Sequence, residues 1–133
     1  MSMSLYDVRE GIAENLRNNV QAVKVYAYVP ESISTPAIIV GYPKAWSFHK
    51  AFKLEGEDDL EVWVLVGRAQ DRAAQELLAS YVSPDGIAQA IEADTTLGGA
   101  CQAAYVTHVD SFSNYTVGST EYLGCKFHVR IVG

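Results

Sequence analysis

The most regular hydrophobic pattern lies near the C-terminal end of the chain, where apolar and polar residues alternate. The residues at every second position are apolar: Leu123, Cys125, Phe127, Val129 and Ile131. Alternation over this length predicts a β-strand with one face in the core and one polar face. A turn at Gly118-Ser119 then predicts a hairpin with strands at about 103–117 and 120–132.

Three earlier segments place apolar residues at the three- and four-residue spacing of amphipathic helices. The first helix is predicted over about 4–18, and Ser4 with Asp7 three residues later is typical of a helix start. The second begins after Asp71, which can cap it, and ends before Ser83-Pro84. A short third helix follows that cluster and stops near residues 97–99.

Short apolar runs bounded by turn residues predict strands at 23–29, 37–41 and 60–66. The run at 60–66 is predicted to be central, because its near-continuous apolar character requires cover on both faces. The segment 46–54 alternates less regularly and is either another strand or an ordered loop. The predicted class is α+β: a mainly antiparallel sheet with helices packed on one face, in a single domain over 1–133.

Composition and charge add limits to this picture. The chain has 133 residues, 49% of them hydrophobic, which suffices for a core without disulfides. Its apolar runs are far shorter than the roughly 20 residues that cross a bilayer, and its N-terminus has no secretory pattern. Synthesis in the cytoplasm, with no membrane partner, is therefore expected. The net charge of −6 disfavours sequence-specific DNA binding.

Candidate chemistry is sparse. No motif of nucleotide binding or nucleophilic catalysis occurs, so neither an enzyme activity nor a cofactor is expected. His49, His108 and His128 are far apart in the sequence, and His49 and His128 have no acidic neighbours, which favours ordinary histidines over a metal site. Cys101 and Cys125 lack metal-ligand spacing and are interpreted as structural thiols.

Two clusters precede the predicted central strand. The first interleaves aromatic and basic residues, which favours core or protein-interface packing over binding of single-stranded nucleic acid. Its members are Trp46, Phe48, His49, Lys50 and Phe52. The second is acidic and is expected to be a solvated turn, or alternatively a surface that repels DNA or meets a basic partner. Its members are Glu55, Glu57, Asp58 and Asp59.

The polar face of the last predicted strand carries Lys126, His128 and Arg130. These side chains are interpreted either as a solvated sheet face or, in a ring of subunits, as a contact with the acidic surface of a neighbour. The sequence does not choose between these interpretations.

Several phrases extend over nearly the whole chain: VYAYVP at 25–30, TPAIIVG at 35–41, VWVLV at 62–66, DRAAQELL at 71–78 and YLGCKF at 122–127. In this order they resemble the tail terminator, or tail completion, proteins of long-tailed siphovirus-type phages of actinobacteria. The phrases mark strands, helices and turns and contain no catalytic motif.

The resemblance implies a fold similar to tail-tube-related proteins and a hexameric ring at the head-proximal end of the virion tail. Such a ring ends tail-tube polymerisation and provides the surface for head-tail joining. The implied partners are copies of the chain, the major tail tube protein and head-tail connector proteins, while DNA passes through the lumen without sequence-specific binding. The segment 42–59 is then a candidate projecting loop, and its acidic residues are candidates for the lumen.

Two other functions remain open from the sequence. One is a head-tail connector or neck protein, which is also small, acidic and ring-forming. The other, of a different class, is a small-ligand-binding or enzymatic α/β domain, which requires a deep pocket where histidines meet acidic partners.

Overall fold

The computed structural model describes residues 4–21, 23–43, 59–68 and 70–132. Within these ranges the chain forms three helices and five strands. In chain order they are α1 (Leu5–Asn19), β1 (Lys24–Tyr26), β2 (Ala37–Pro43), β3 (Asp59–Gly67), α2 (Arg72–Val82), α3 (Ile87–Ile91), β4 (Ala103–Val117) and β5 (Thr120–Val132). None of these helices is long and apolar enough to cross a membrane.

The five strands form one sheet in the order β1-β2-β3-β5-β4. β1 and β2 are parallel, and the other neighbouring strands are antiparallel. The predicted α+β class with a mainly antiparallel sheet is confirmed, and β3 takes the central place expected for 60–66. β1 has three residues instead of the predicted seven, and α3 ends at Ile91, before the glycines at 98 and 99.

Side-chain caps set the start of two helices, as the sequence predicts. The Ser4 hydroxyl oxygen accepts a hydrogen bond from the backbone N–H of Asp7 at 3.3 Å. The Asp71 carboxylate accepts one from the backbone N–H of Ala73 at 3.0 Å. Each cap satisfies an amide of the first turn that has no partner within the helix.

One core joins all three helices to the sheet. Its largest fully buried side chains include Ile12, Leu16, Ile38, Leu60, Ile87, Ile91, Phe127 and Ile131. Since residues of every helix belong to this cluster, the helices pack on the same face of the sheet, as predicted. We call this the covered face.

The residues that alternate with these core residues along the strands lie on the opposite face of the sheet. None of the three helices covers this face, and we call it the open face. One row across the strands is Glu61, His128 and His108, and the next is Ile39, Trp63, Lys126 and Asp110. Ile39 and Leu65 are almost fully buried here, while Glu61 and Trp63 remain partly exposed. The cover that the sequence predicts for both faces of β3 is therefore complete at Leu65 and partial at Glu61 and Trp63.

Candidate functional site

The open face is the candidate site, because the predicted polar residues of β5 lie there among further ionisable and aromatic side chains. Lys126, His128 and Arg130 alternate with the core residues of β5 and are all partly buried. The Lys126 ammonium lies 3.7 Å from a carboxylate oxygen of Glu61, and the same oxygen accepts a hydrogen bond from the Trp63 indole at 3.0 Å. Lys126 thus has an acidic contact within its own chain.

His108 and His128 meet at the centre of this face. Their rings are stacked, with centroids 4.3 Å apart and planes 6° from parallel. Asp110 contacts both rings: one carboxylate oxygen lies 2.8 Å from Nε2 of His128, and the other lies 3.4 Å from Nε2 of His108. Two of the three histidines that are far apart in the sequence thus lie together beside an acidic residue, because strand pairing brings together residues distant in sequence. His49 lies outside the described residues.

The electrostatics of Asp110 follow from this contact. The hydrogen bond with His128 is the main cause of a lowered pKa of the Asp110 carboxyl, and a hydrogen bond with Ser111 and the nearby histidine charges act in the same direction. Desolvation opposes them. The carboxylate is therefore held in its ionised form beside two imidazoles.

β4 contains two β-bulges, and the one nearer the turn produces the alignment. Counted from the turn at 118–119 without a bulge, the hairpin would place His128 opposite Val109. The register shifts between Asp110 and Ser113, which puts His128 opposite His108, and shifts again between Val106 and His108. Ser111 has the left-handed φ of 58° that a bulge can use, and its carbonyl oxygen accepts a hydrogen bond from the Tyr115 hydroxyl.

The sequence did not identify Asp110 and Thr107 as members of this site, because the bulges of β4 are not predictable from it. The alternation in β5 predicts which face His128 occupies, but the partner across the hairpin depends on where β4 bulges. β4 offers no glycine to mark either bulge. The pattern of polar residues in β4 therefore predicts an ordinary exposed strand without bulges.

The long edge of the sheet is a second feature of this region. β4 is the last strand in the sheet order and has 15 residues. The backbone N–H of Val106 donates a hydrogen bond to the Glu92 carboxylate at 2.8 Å, so Glu92 covers that part of the edge. Residues 111–114 are all exposed, and Phe112 keeps 55% of its surface accessible.

Two of the pockets formed by the described residues lie away from the cluster of His108, Asp110 and His128. One of about 780 Å³ lies between α1 and residues 93–100 and carries acidic side chains such as Asp7 and Glu10. Another of about 270 Å³ lies beside the turn of the hairpin and is lined by apolar groups including Trp63 and Leu65. Neither pocket includes His108, Asp110 or His128, which lie on an open surface.

Several predicted site residues are not placed. The aromatic and basic cluster (Trp46, Phe48, His49, Lys50 and Phe52) and the acidic residues Glu55, Glu57 and Asp58 lie outside the described residues. Asp59, expected in the same turn, is instead the first residue of β3 and pairs with Arg130 in the sheet register. Both ends of the segment predicted as a projecting loop at 42–59 belong to strands, because β2 extends through Pro43 and β3 begins at Asp59; residues 44–58 lie outside the described residues.

Comparison with known proteins gives no identification: no protein-family model, curated protein or solved structure matches this chain. The likeness to tail terminators accordingly remains a prediction from the sequence.

Proposed function

We propose that this chain is a structural virion protein that forms a ring at the head-proximal end of a phage tail. The ring ends tail-tube polymerisation and provides the surface for head-tail joining. The proposal starts from the sequence resemblance. The structural observation that supports it most directly is the long exposed edge strand β4.

This edge has few of the features that prevent strand edges from pairing. Natural edge strands are usually short or carry lysine, proline or bulges. β4 has 15 residues and contains no lysine, arginine, glutamate or proline. Its two bulges interrupt pairing locally, yet residues 113–117 keep a regular register with β5. An exposed, regular and nearly uncharged stretch of this kind is suited to contact another protein chain.

The two edges of the sheet also differ in a way that fits a ring. A closed ring uses a heterologous interface, in which one patch of a subunit contacts a different patch of the next. β4 supplies a long edge with the exposed Phe112, whereas β1 at the opposite edge has three residues. We infer that the β4 edge of one copy packs against a different surface of its neighbour.

The test uses purified chain and polymerising tail tube subunits. Electron microscopy should reveal rings on tube ends and shorter tubes as the chain is added. Phe112→Glu should abolish ring formation and capping while the melting temperature stays the same. Tyr6→Glu is the matched control, because Tyr6 is 71% exposed on α1, away from the β4 edge.

Two outcomes would count against the proposal. Capping that is equally strong in Phe112→Glu would remove β4 from the interface. Binding to portal-side connector proteins, with no effect on tube length, would favour the connector or neck alternative.

A further inference from the structure

We propose that His108, Asp110 and His128 form a binding site for one divalent transition-metal ion of the zinc class. This inference concerns the chemistry of the open face and does not depend on the proposed tail function.

The three side chains already have nearly the spacing that a metal requires. Their potential ligand atoms all lie within 4.8 Å of one another. The Asp110 oxygens are 2.8 and 3.4 Å from the two Nε2 atoms. Tetrahedral zinc with ligand bonds of about 2.0–2.1 Å separates neighbouring ligands by about 3.3 Å. Movement of one imidazole ring would therefore suffice to enclose an ion.

Thr107 supplies a second, independent observation. Its hydroxyl donates to the backbone carbonyl oxygen of His128 at 3.2 Å and lies 2.9 Å from Nδ1 of His108. A hydroxyl has one proton, so when that proton is donated to the His128 carbonyl the Thr107 oxygen can accept a hydrogen bond from Nδ1–H of His108. In this tautomer the lone pair of His108 Nε2 faces an Asp110 oxygen at 3.4 Å. Two electron-rich atoms facing each other favour a cation between them.

This arrangement is the one that metal-binding histidines use. A ligating imidazole normally donates its second N–H to a fixed acceptor, which sets the tautomer and the ring orientation. Here the Thr107 hydroxyl takes that role for His108. The Nε2 atom of His128 loses its hydrogen bond to Asp110 when the ion binds, and any proton it carries is released to solvent.

Differences in exposure indicate which ring moves. Parallel stacked rings direct their lone pairs side by side, so one ring must turn for both Nε2 atoms to reach the same ion. The His108 side chain is 52% exposed and can tilt about its hydrogen bond with Thr107, whereas that of His128 is 15% exposed and is held by its surroundings. Metal binding should therefore break the stack through a tilt of His108 that keeps Nδ1 beside Thr107.

The ligand set also indicates the class of metal. Two imidazole nitrogens and one carboxylate suit zinc, copper, nickel or iron, whereas magnesium and calcium prefer oxygen ligands throughout. The nearest described ammonium, that of Lys126, lies 3.7 Å from Glu61, which offsets its charge beside the site. Three protein ligands leave a further position for water.

The test is calorimetric titration of the full chain with Zn²⁺ at neutral pH, with Mg²⁺ titrated in parallel. One Zn²⁺ and no Mg²⁺ should bind per chain. Asp110→Asn and His128→Gln should weaken Zn²⁺ binding by more than the roughly 10–100-fold that loss of an outer partner costs, and Thr107→Val should fall within that range. Asp85→Asn, which changes an exposed carboxylate elsewhere, should bind like the wild type.

NMR supplies a readout independent of affinity. On addition of Zn²⁺ the imidazole signals of His108 and His128 should shift together, while thermal melts establish that each variant is folded. The inference is overturned if the wild type binds no Zn²⁺, or if folded Asp110→Asn and His128→Gln retain the wild-type affinity. Binding that is lost in His49→Ala but kept in those two variants would also overturn it.

Discussion

The covered and open faces of the sheet are built from alternate residues of the same strands, yet they differ in what they contribute. On the covered face, Phe127 pairs with Val62 and Val109 in a row buried by helices. One residue further along β5, His128 pairs with Glu61 and His108 in a row held by polar contacts. The covered face supplies most of the hydrophobic stabilisation, and the open face supplies chemistry and contact surface.

The difference follows from solvent access. Burial of apolar area stabilises in proportion to that area, so it requires close packing but little specificity. A partly exposed polar contact contributes little to stability, because water competes for it. Residues of the open face can therefore be changed at small cost to the fold, which makes this face the place where function can be tested.

The largest expected effect separates the two faces directly. Phe127→Ala should lower the free energy of unfolding by about 3–5 kcal/mol, because a fully buried ring is lost and a cavity remains. His128→Ala, one position away on the open face, should cost much less. Urea unfolding measures both. Equal losses would mean that the two faces do not differ as described.

A smaller effect is expected for a buried polar side chain that joins α1 to the end of α3. Asn15 is buried, and its side-chain amide donates to the carbonyl oxygens of Ile91 at 2.9 Å and Asp94 at 3.0 Å. Asn15→Ala should cost about 1–3 kcal/mol, because it leaves these acceptors without a donor. Asn18→Ala, an exposed position of α1, is the control for helix propensity. Similar melting temperatures for the two variants would contradict this role of Asn15.

The cysteines allow a kinetic test of the same comparison. Burial, with a smaller contribution from Asp110, raises the pKa of the Cys125 thiol on the covered face to about 12. Burial and the charge of Asp94 also raise the pKa of Cys101, which is only partly buried. A thiol reagent should modify Cys101 slowly in the native protein and Cys125 only as the chain unfolds. Equal rates in native protein would show that the covered face is accessible.

The smallest effect is expected in acid, on the open face. The Asp110 pKa is lowered in the folded protein, whereas an unfolded aspartate titrates near about 3.9. Its contribution to stability is therefore fully present above the unfolded pKa and is lost as pH falls through the lower folded pKa. Asp110→Asn should flatten the acid dependence of the unfolding free energy. NMR titration of the carboxyl in wild type should give a midpoint below that of an unfolded aspartate, and a normal midpoint would contradict the contact with His128.

The sequence predicts the local elements well because their causes are local. The caps at Ser4 and Asp71 come from one side chain meeting an amide two or three residues ahead. The hairpin bounds at 103–117 and 120–132 follow from alternation and a glycine turn. The same alternation places Lys126, His128 and Arg130 on one face of β5.

The candidate site is predicted only in part. The face of His128 is predictable, but its contacts with His108 and Asp110 are not, because a one-residue bulge changes every pairing beyond it. The aromatic and acidic clusters between β2 and β3 remain predictions, since residues 44–58 are outside the described ranges. The assignment to a phage tail likewise remains a proposal.

The sequence by itself determined where the chain alternates, turns and begins its helices, because these depend on contacts a few residues apart. It also determined that one face of β5, the face of Phe127 and its alternate neighbours, is apolar. Tertiary structure decided the strand order, the side on which the helices pack and the meeting of His108, Asp110 and His128. These features depend on pairings between distant segments, and the bulge of β4 between Asp110 and Ser113 sets the register that brings the three side chains together.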